Sequence, residues 1–243
     1  MVAKSRLEGI NNMYLLLDIG NTRCKAALYE NGSLRLVQDL ATMDINPTDI
    51  EAVIVASVAA DEQLQVLKQK LKLTDVRWIQ VQSEAAAFGI RNSYSEPEKL
   101  GVDRWLAMIA AKQQLPNHSI MVIDAGTAVT IDWLDPQGSH QGGWIIPGLA
   151  MQQRAVVSNT AKVLNANEFK PVLAPANNTA TALQSGCLAA VIGAIQLAWQ
   201  NHPTQQIILT GGDSLLLASH LDSLPIIIEP LLVFHGLSRY CRL

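Results

Sequence analysis

The sequence is poor in cysteine and in charged residues, and each scarcity excludes a class of protein. Of 243 residues only 3 are cysteines, and Cys24, Cys187 and Cys241 lie far apart with no CxxC pair. This spacing predicts reduced thiols, not a disulfide framework or a cysteine-based zinc site. Charged residues make up 16% of the chain and the net charge is −3. Without a basic excess, we expect no binding to nucleic acid.

Long apolar runs are also scarce. We find no stretch that approaches the roughly 20 apolar residues needed to span a membrane. The run near the N-terminus, Met13–Leu17, is too short for the core of a secretory signal. We therefore expect a cytoplasmic protein with no membrane partner, and its 49% hydrophobic content is enough for a sizeable core. The 5 histidines fall at no metal-ligand spacing, so we expect none of them to bind a metal.

The chain does contain a repeated turn. Asp18–Thr22 (Asp-Ile-Gly-Asn-Thr) and Asp124–Ala128 (Asp-Ala-Gly-Thr-Ala) each follow an apolar run. When the two copies are laid over each other without a gap, Gly32-Ser33 falls on Gly138-Ser139. Each copy thus predicts a strand ending in Asp-x-Gly, a second strand and a further turn. The repetition indicates a duplicated domain that holds a nucleotide between its halves.

Phosphate chemistry explains the residue types in these turns. A glycine turn after a strand exposes backbone N–H groups to a bound anion, and Asn21, Thr22 and Thr127 add side-chain donors. Carboxylates repel phosphate, so Asp18 and Asp124 make sense if a cation lies between them and the phosphates. The alternative is a pair of ordinary hairpin turns, where Asp, Asn and Gly are common. Two copies in register favour the phosphate site.

Apolar periodicity predicts an α/β chain with strands and helices in alternation. Residues 1–12 are an N-terminal extension. The break near Gln114–Ser119 divides the rest into a first half, residues 13–116, and a second half, residues 117–243. The predicted strands are Met13–Leu17, Lys25–Glu30, Leu34–Gln38, Ala52–Ala56, Val76–Val81, a strand pair from Ile120, Ile207–Thr210 and Ile226–Ile228. The predicted helices are Asp61–Leu73, Val102–Leu115, Thr179–Trp199, Ser214–His220 and Leu231–Tyr240.

Duplicated halves with mixed sheets flanked by helices fit the actin-like sugar-kinase (ASKHA) fold, in which the nucleotide sits in the cleft between the halves. The chain has no G-x-x-x-x-G-K-[ST], no G-x-G-x-x-G after the first strand and no protein-kinase signature. A third glycine motif, Gly211-Gly212-Asp213, follows an apolar strand and precedes a helix. It would let backbone lie against a ligand, although Gly-Gly also serves as a plain strand–helix connector.

The segment from Tyr94 to Arg104 ends at the start of a predicted helix. A helix N-terminus favours an acid, which explains Asp103 but not Arg104. Arg104 could instead grip a substrate carboxylate or phosphate, and Gly101 would let a ligand approach the helix start. The Asp-Arg pair offers one group that accepts a hydroxyl proton and one that holds negative charge.

Taken together, the motifs resemble the type III pantothenate kinase family over the chain from Met13 onward. This family phosphorylates pantothenate from ATP, the first step toward coenzyme A. The resemblance implies the actin-like fold, a homodimer, Mg²⁺ and a monovalent cation, K⁺ or NH₄⁺. The five motifs that carry it, in order, are Asp18–Thr22, the Tyr94…Pro97…Gly101-Val-Asp-Arg104 block, Asp124–Thr130, Gly142–Gly148 and Gly211–Asp213.

The resemblance also implies roles for individual residues. Asp103 would be the catalytic base, Asp124 would bind the monovalent cation, and Gly142–Gly148 would shape a loop in the cleft. Thr179 would contact the substrate, and Thr181 lies close enough to be an alternative. The acidic residue that often follows that Thr in the family is missing here. ATP would be bound by Asp18, Ile19, Gly20, Asn21, Thr22, Arg23, Cys24, Lys25 and Thr127. Pantothenate would be bound by Tyr94, Gly101, Val102, Asp103, Arg104 and Thr179.

Two other function classes remain open. One is a different enzyme on the same fold, such as a sugar or acetate kinase or a polyphosphate hydrolase, which should lack the Tyr…Gly-x-Asp-Arg block. The other is a non-catalytic relative, in which the key aspartates would be lost.

Outside the motifs, we expect Trp105, Trp78, Trp144 and Trp199 to pack in the core. We expect Asp132 and Asp135 to have solvent or turn roles.

Overall fold

A computed structural model describes residues 13–20, 24–40, 43, 46–57, 61–160 and 171–241 of the chain. The chain forms two compact units, one built from Met1–Gln82 and Phe234–Leu243, the other from Ser83–Val233. The predicted extension, residues 1–12, lies outside the described residues. The predicted boundary between residues 116 and 117 marks the repeat in the sequence and stays a prediction.

The first unit is a five-stranded mixed sheet with the order β3-β2-β1-β4-β5. Strands β1, β2 and β3 form an antiparallel meander, whereas β4 and β5 run parallel to β1. Asn31 and Gly32 have φ of 49° and 86°, the pair of positive values that a tight hairpin turn requires. The elements are β1 (Met13–Ile19), β2 (Cys24–Glu30), β3 (Ser33–Val37), β4 (Ile50–Ser57), α1 (Asp61–Leu71) and β5 (Arg77–Val81), with a 3₁₀ turn at Pro47–Asp49.

The second unit begins with a short hairpin and then repeats this arrangement. Its sheet has the order β10-β9-β8-β11-β12, which matches the first sheet strand for strand, and a 3₁₀ turn at Pro97–Lys99 precedes α2. The elements are β6 (Ala86–Ala87), β7 (Ile90–Arg91), α2 (Val102–Gln114), β8 (Ile120–Ala125), β9 (Ala128–Leu134), β10 (His140–Pro147), α3 (Leu149–Ser158), α4 (Thr179–Asn201), β11 (Gln206–Thr210), α5 (Ser214–Ala218) and β12 (Ile226–Ile228). Helix α6 (Leu232–Leu237) and a 3₁₀ turn at Ser238–Tyr240 follow in the chain, and from Phe234 onward they belong to the first unit. The predicted α/β class and the duplication are confirmed.

Strand alternation divides each central strand between two faces. In the first unit, Leu15 and Leu17 belong to a core that also contains Leu64 of α1, so Asp18 belongs to the opposite face. In the second unit, Ile123 and Ile131 pack with α4, so Asp124 likewise belongs to the face away from the helix core.

Helix α4 corrects one expectation. By length and composition it could cross a membrane, with a mean hydropathy of 1.5 over its 18-residue window, although we expected no such stretch. Its buried residues include Leu188, Val191 and Ile195, which pack into the core of the second sheet. Core packing thus accounts for the apolar residues on the inner side of this helix, and 39% of its most apolar window is buried.

The predicted elements are present, and most of their ends lie within a few residues of the predicted ones. The sequence missed α3 and the short β6–β7 hairpin, and the loop predicted for Gly142–Gly148 is wrong, because β10 pairs with β9 through Pro147. Trp105 is fully buried as predicted. Trp144 and Trp199 pack against the core of the second unit, and Trp78 against that of the first.

Candidate active site

The Asp-x-Gly turn of the first unit places a carboxylate at the end of the central strand. Asp18 is the next-to-last residue of β1, directly across from Lys25 on β2 and Ala56 on β4. Ile19 is buried, whereas Gly20, Cys24 and Lys25 are exposed. The remaining predicted ATP-binding residues, Asn21, Thr22 and Arg23, lie outside the described residues.

Cys24 reports the electrostatics of this turn. The pKa of its thiol is raised, first by desolvation of the sulfur and second by the negative charge of Asp18. Asp18 lies one residue before Ile19, the cross-strand partner of Cys24, and its negative charge disfavours the thiolate.

The turn of the second unit repeats the geometry with different neighbours. Asp124 is the next-to-last residue of β8, across from Thr130 on β9 and Thr210 on β11. Residues directly opposite each other on paired strands share a face, so two hydroxyl side chains flank this carboxylate. Thr127 is exposed at the tip of the turn. The arrangement offers only oxygen donors, the ligands preferred by hard cations.

Two glycines allow other segments to close on this second turn. The backbone N–H of Gly148 donates to the Thr127 carbonyl at 3.0 Å, and a Cβ at residue 148 would collide with the Gly126 and Thr127 carbonyl oxygens. Gly211 has φ of +94°, and a Cβ there would lie 2.5 Å from Asp124 Oδ1. The Gly-Gly-Asp motif thus packs against the Asp124 turn.

Asp213 completes this motif. Its backbone N–H donates to the Ala125 carbonyl at 3.1 Å, which ties the start of α5 to the end of β8. Burial raises the pKa of its carboxyl group. Asp213, which the sequence motif included without a role, is thus held at the second turn by its backbone.

The start of α2 presents the predicted base. Asp103 lies in the first turn of α2 and is half-buried, and its Oδ1 accepts a hydrogen bond from the Arg104 backbone N–H at 2.8 Å. A Cβ at Gly101 would lie 2.6 Å from the same oxygen. Glycine at this position therefore leaves room for the Asp103 carboxylate, a more specific reason than ligand access. Val102, beside it, is buried.

Arg104 is only 4% exposed and forms a buried ion pair. Its Nε donates to Asp132 Oδ2 at 2.9 Å and its Nη2 to Asp132 Oδ1 at 2.6 Å, while Nη1 donates to the Tyr94 hydroxyl at 3.0 Å. Burial alone would lower the pKa of Arg104, but its bonds to Asp132 and Tyr94 raise it above its usual value. The guanidinium is therefore charged inside the protein.

The prediction for Asp132 is wrong. We expected a solvent or turn role, but this residue is 1% exposed and pairs with Arg104. Alternation along β9 explains the position, because Asp132 shares the face of Thr130 and Asp124 and points toward α2. The turn role predicted for Asp135 is confirmed, since its Oδ1 accepts from the backbone N–H groups of Gln137 and Ser139.

His140 and Asn92 also belong to this region, although no sequence motif gave either residue a site role. His140 is 3% exposed, and its Nε2 lies 2.8 Å from Asp132 Oδ1. The Asn92 side chain accepts from the Tyr94 backbone N–H at 3.0 Å and donates to the Glu84 and Pro97 carbonyls. These bonds fix the loop that carries Tyr94. A histidine at the first position of a strand matches no motif, so only the fold identifies it.

The face of the second sheet links these groups. Arg104 binds Asp132, which lies two residues along β9 from Thr130, the residue facing Asp124. The start of α2, with its proton-accepting Asp103, is thereby anchored to the face that carries the Asp124 carboxylate. Thr179 lies at the start of α4, whose body covers the other face, and Asn178 caps that helix by accepting from the Thr181 backbone N–H.

A family model described as type III pantothenate kinase matches residues 34–201. A protein named type III pantothenate kinase from Pseudoalteromonas translucida (strain TAC 125) is 35% identical over 236 residues, 95% of this chain and 97% of the relative. Another of the same name, from Marinomonas sp. (strain MWYL1), is 33% identical over 87% of this chain and 88% of its own length.

Among solved structures, the chain is similar to one described as a conserved putative Baf family transcriptional activator from Campylobacter jejuni. The TM-score is 0.61 with 24% identity, over 94% of this chain and 97% of the other. At this identity the likeness shows the fold alone. Together with the two sheets of identical strand order, it supports the actin-like architecture predicted from the sequence.

Proposed function

The chain belongs to the type III pantothenate kinase family, and from that premise we propose which residues bind the substrates and which one acts as the base. The enzyme transfers the γ-phosphate of ATP to the hydroxyl of pantothenate, the first step of coenzyme A biosynthesis. The observation that carries the proposal is the Asp103 carboxylate at the start of α2, held beside the charged, buried Arg104.

Asp103 is the catalytic base in this proposal. The pantothenate hydroxyl oxygen attacks the γ-phosphorus, the bond from that phosphorus to the bridging oxygen of ADP breaks, and Asp103 takes the hydroxyl proton. Phosphoryl transfer depends mainly on positioning and charge stabilisation, so the base needs to accept the proton only late. Its half-buried position at a helix start suits a carboxylate that is both accessible and held in place.

Pantothenate binds around the start of α2. Tyr94, Gly101, Val102 and Arg104 line the pocket, and Thr179 contributes from the start of α4, with Thr181 as the alternative. The Asn92 side chain fixes the loop that carries Tyr94, and the Tyr94 hydroxyl lies 3.0 Å from Arg104 Nη1. These contacts support the pocket.

ATP binds through the segment Asp18–Lys25 and through Thr127. Mg²⁺ usually takes one or two carboxylates together with substrate phosphates, and the single carboxylate of Asp18 at an exposed glycine turn fits that donor set. When bound, the divalent ion neutralises phosphate charge. Lys25, exposed and directly across from Asp18, adds a positive charge of the chain's own.

Asp124 holds the monovalent cation, K⁺ or NH₄⁺. Over the described residues no group of three or more His, Cys, Asp or Glu side chains could hold a metal ion, and neutral oxygens are also ligands of hard cations. Thr130 and Thr210, on the strands flanking Asp124, supply hydroxyl groups of this kind. The cation offsets the repulsion between Asp124 and the phosphates.

We also propose that the enzyme is a cytoplasmic homodimer with its substrate pockets near the interface. The two long helices of the second unit, α2 and α4, are the candidate contact surfaces. Helix α2 is buried within its own chain from Arg104 to Ala111, which leaves α4. The outer side of α4 carries exposed small or apolar residues at helical spacing: Ala182, Gly186, Ala189, Ala190, Gly193 and Leu197.

A substrate panel tests the function. ATP consumption is measured with pantothenate, several sugars and acetate, on the wild-type chain and on Asp103→Asn. We expect turnover with pantothenate only, and a fall in kcat of at least about a hundredfold in the variant, the scale of a general base, while both substrates still bind. Asp103→Asn keeps the shape of the side chain but cannot take the proton.

Other outcomes would contradict the proposal. Turnover with a sugar or acetate instead of pantothenate would indicate a different kinase on this fold, and no turnover with any acceptor would indicate a non-catalytic relative. Near wild-type turnover by Asp103→Asn would reject the assignment of the base and make Asp18 the next candidate.

A further inference from the structure

Three polar side chains are buried together beneath the proposed pantothenate site. Arg104 is 4% exposed, Asp132 1% and His140 3%. Buried charges are costly unless they are paired and hydrogen-bonded, so this cluster requires a reason to be there. The proposed reaction uses Arg104 only, which leaves Asp132 and His140 without an assigned role.

We propose that Asp132 and His140 are positioning residues for pantothenate, acting through Arg104 and Tyr94. This inference rests on the proposed function and adds to it the residues that set the geometry of the acceptor pocket. Asp132 binds Arg104, and His140 contacts Asp132 and the Tyr94 ring, so each acts through a neighbour.

Asp132 fixes the guanidinium. Its two carboxylate oxygens accept from Nε and Nη2 of Arg104 at 2.9 and 2.6 Å, the parallel two-bond geometry that sets both the position and the plane of an arginine. With that plane fixed, Nη1 donates to the Tyr94 hydroxyl at 3.0 Å. These contacts use three of the five guanidinium N–H groups, and the other two can serve a further acceptor.

His140 fixes Asp132 and Tyr94 from the other side. An ionised carboxylate only accepts hydrogen bonds, so His140 Nε2 carries a proton and donates to Asp132 Oδ1 at 2.8 Å. Its Nδ1 lies 3.1 Å from the Ser93 hydroxyl. The imidazole also stacks on the Tyr94 ring, with centroids 6.0 Å apart and an angle of 17° between the planes. Tyr94 is thus held at its hydroxyl by Arg104 and at its ring by His140.

Gly143 shows that the surrounding strand accommodates this cluster. It lies across from Asp132 on β10, and a Cβ at this position would collide with Arg104 Nη2 and Asp132 Oδ1. Gly143 therefore has a packing reason inside a strand, where glycine is otherwise unfavourable.

The central test is Asp132→Asn, with kinetics measured separately for each substrate. The amide cannot accept both bonds from Arg104, so Arg104 and Tyr94 lose their fixed placement. We expect the KM for pantothenate to rise about tenfold or more, the scale of a hydrogen bond to a charged group, while the KM for ATP changes less than about twofold. A purely structural role would lower the folded fraction and leave both KM values unchanged.

Asp135→Asn is the matched control, because it makes the same charge change in the adjacent β9–β10 turn. Asp135 accepts backbone hydrogen bonds from Gln137 at 2.9 Å and Ser139 at 2.7 Å and does not contact Arg104. We expect its KM for pantothenate to match that of the wild type. Thermal unfolding of each variant confirms that folded proteins are compared.

His140 gives a second route that keeps the charged pair intact. His140→Gln retains an N–H donor for Asp132, whereas His140→Ala removes it together with the stacked ring. We expect Gln to preserve most of the affinity for pantothenate and Ala to raise the KM for pantothenate several-fold. A double-mutant cycle of His140→Ala with Tyr94→Phe should be clearly non-additive, because both changes act on one cluster.

The outcomes separate this inference from the proposed function. The wild-type assay decides whether pantothenate is the acceptor, and its failure would overturn both. If the wild type is active, unchanged or equally raised KM values for the two substrates in Asp132→Asn would overturn the inference alone. Should Asp132→Asn fail to fold, equal kinetics for His140→Ala, His140→Gln and the wild type would overturn it instead.

Discussion

At the scale of single residues, Asp103 and Arg104 are neighbours in the chain with opposite surroundings. Asp103 is half-buried at the start of α2, whereas Arg104 is buried and neutralised by Asp132. The pair therefore does not present two exposed charges of opposite sign to a substrate. It presents one accessible carboxylate on a helix end that the buried ion pair anchors to β9.

Gly101→Ala tests how finely that carboxylate is placed. The added Cβ would lie 2.6 Å from Asp103 Oδ1, and the carboxylate can move aside without disturbing the backbone. We expect kcat to fall by up to about a hundredfold, the scale of a 1 Å misplacement, while stability falls by about 1 kcal/mol at most. Steady-state kinetics and thermal unfolding give the two numbers.

Gly186→Ala is the control for this prediction, since a Cβ there meets nothing within 4 Å. It should leave kcat unchanged. Wild-type turnover by Gly101→Ala would show that the Asp103 side chain tolerates displacement, and the placement argument would then be wrong.

Cys24 offers a chemical probe of the first turn. The pKa of its thiol is raised by desolvation and by Asp18, so at pH 8 less of it is thiolate than in a free cysteine. We expect slow alkylation by iodoacetamide. In Asp18→Asn the negative charge that opposes the thiolate is removed, the pKa falls, and alkylation at Cys24 should accelerate.

Mass spectrometry of the Cys24 peptide measures this rate, and the buried Cys187 and Cys241 serve as internal references. An equal alkylation rate in wild type and Asp18→Asn would contradict the proximity of Asp18 to the thiol. Protection of Cys24 by Mg²⁺–ATP in the wild type would further support ATP binding at this turn.

The sequence predicted residues whose role is local and missed those whose role depends on pairing. The repeated Asp-x-Gly turns and the start of α2 could be predicted, because a few adjacent residues define each one. Asp132 could not, since its partner Arg104 is 28 residues away and the pleat of β9 selects the contact. His140 joins the same cluster through the start of another strand, β10.

At the scale of elements, β10 shows why glycine content misleads. Two glycines and a proline are typical of a loop, and the family resemblance implied one over Gly142–Gly148, yet His140–Pro147 is a strand paired with β9. Gly143 is required there because the Arg104–Asp132 pair occupies the space of a side chain. A local propensity was overridden by a tertiary contact, which no single-sequence pattern contains.

The exposed side of helix α4 can be tested as a dimer interface by substitution. Gly186 and Gly193 are two turns apart on its exposed side, and a Cβ at either position meets nothing within 4 Å. Gly193→Glu should therefore leave the fold intact and even favour the helix by several tenths of a kcal/mol. If this side of α4 is the dimer interface, the added charge should convert the protein to a monomer.

Sedimentation velocity over a range of protein concentrations measures the change. Gly193→Ala is the control, because it gives a similar gain in helix propensity and keeps the surface small and apolar. A dimer that persists in Gly193→Glu, or a fully active wild-type monomer, would contradict the proposed interface.

At the scale of the whole molecule, one arrangement of strands occurs twice with different chemistry. Both sheets have the same strand order and place an aspartate at the next-to-last position of the central strand. This duplication was predictable because sequence repeats survive in the turns. What differs is the set of residues directly opposite each aspartate, and that set is known only once the strand pairing is known.

That difference leads to the last prediction, cation dependence. Asp18 faces Lys25, a cation that belongs to the chain, whereas Asp124 faces Thr130 and Thr210, which carry no charge. In the proposed function, a cation from solution offsets the repulsion between Asp124 and the nearby phosphates. Activity should be low in buffers with only Na⁺ or Tris and should return with K⁺ or NH₄⁺, whereas Asp124→Asn should lose this response. Equal wild-type rates in all four buffers would show that Asp124 has no such ion, and the asymmetry between the two turns would then have another cause.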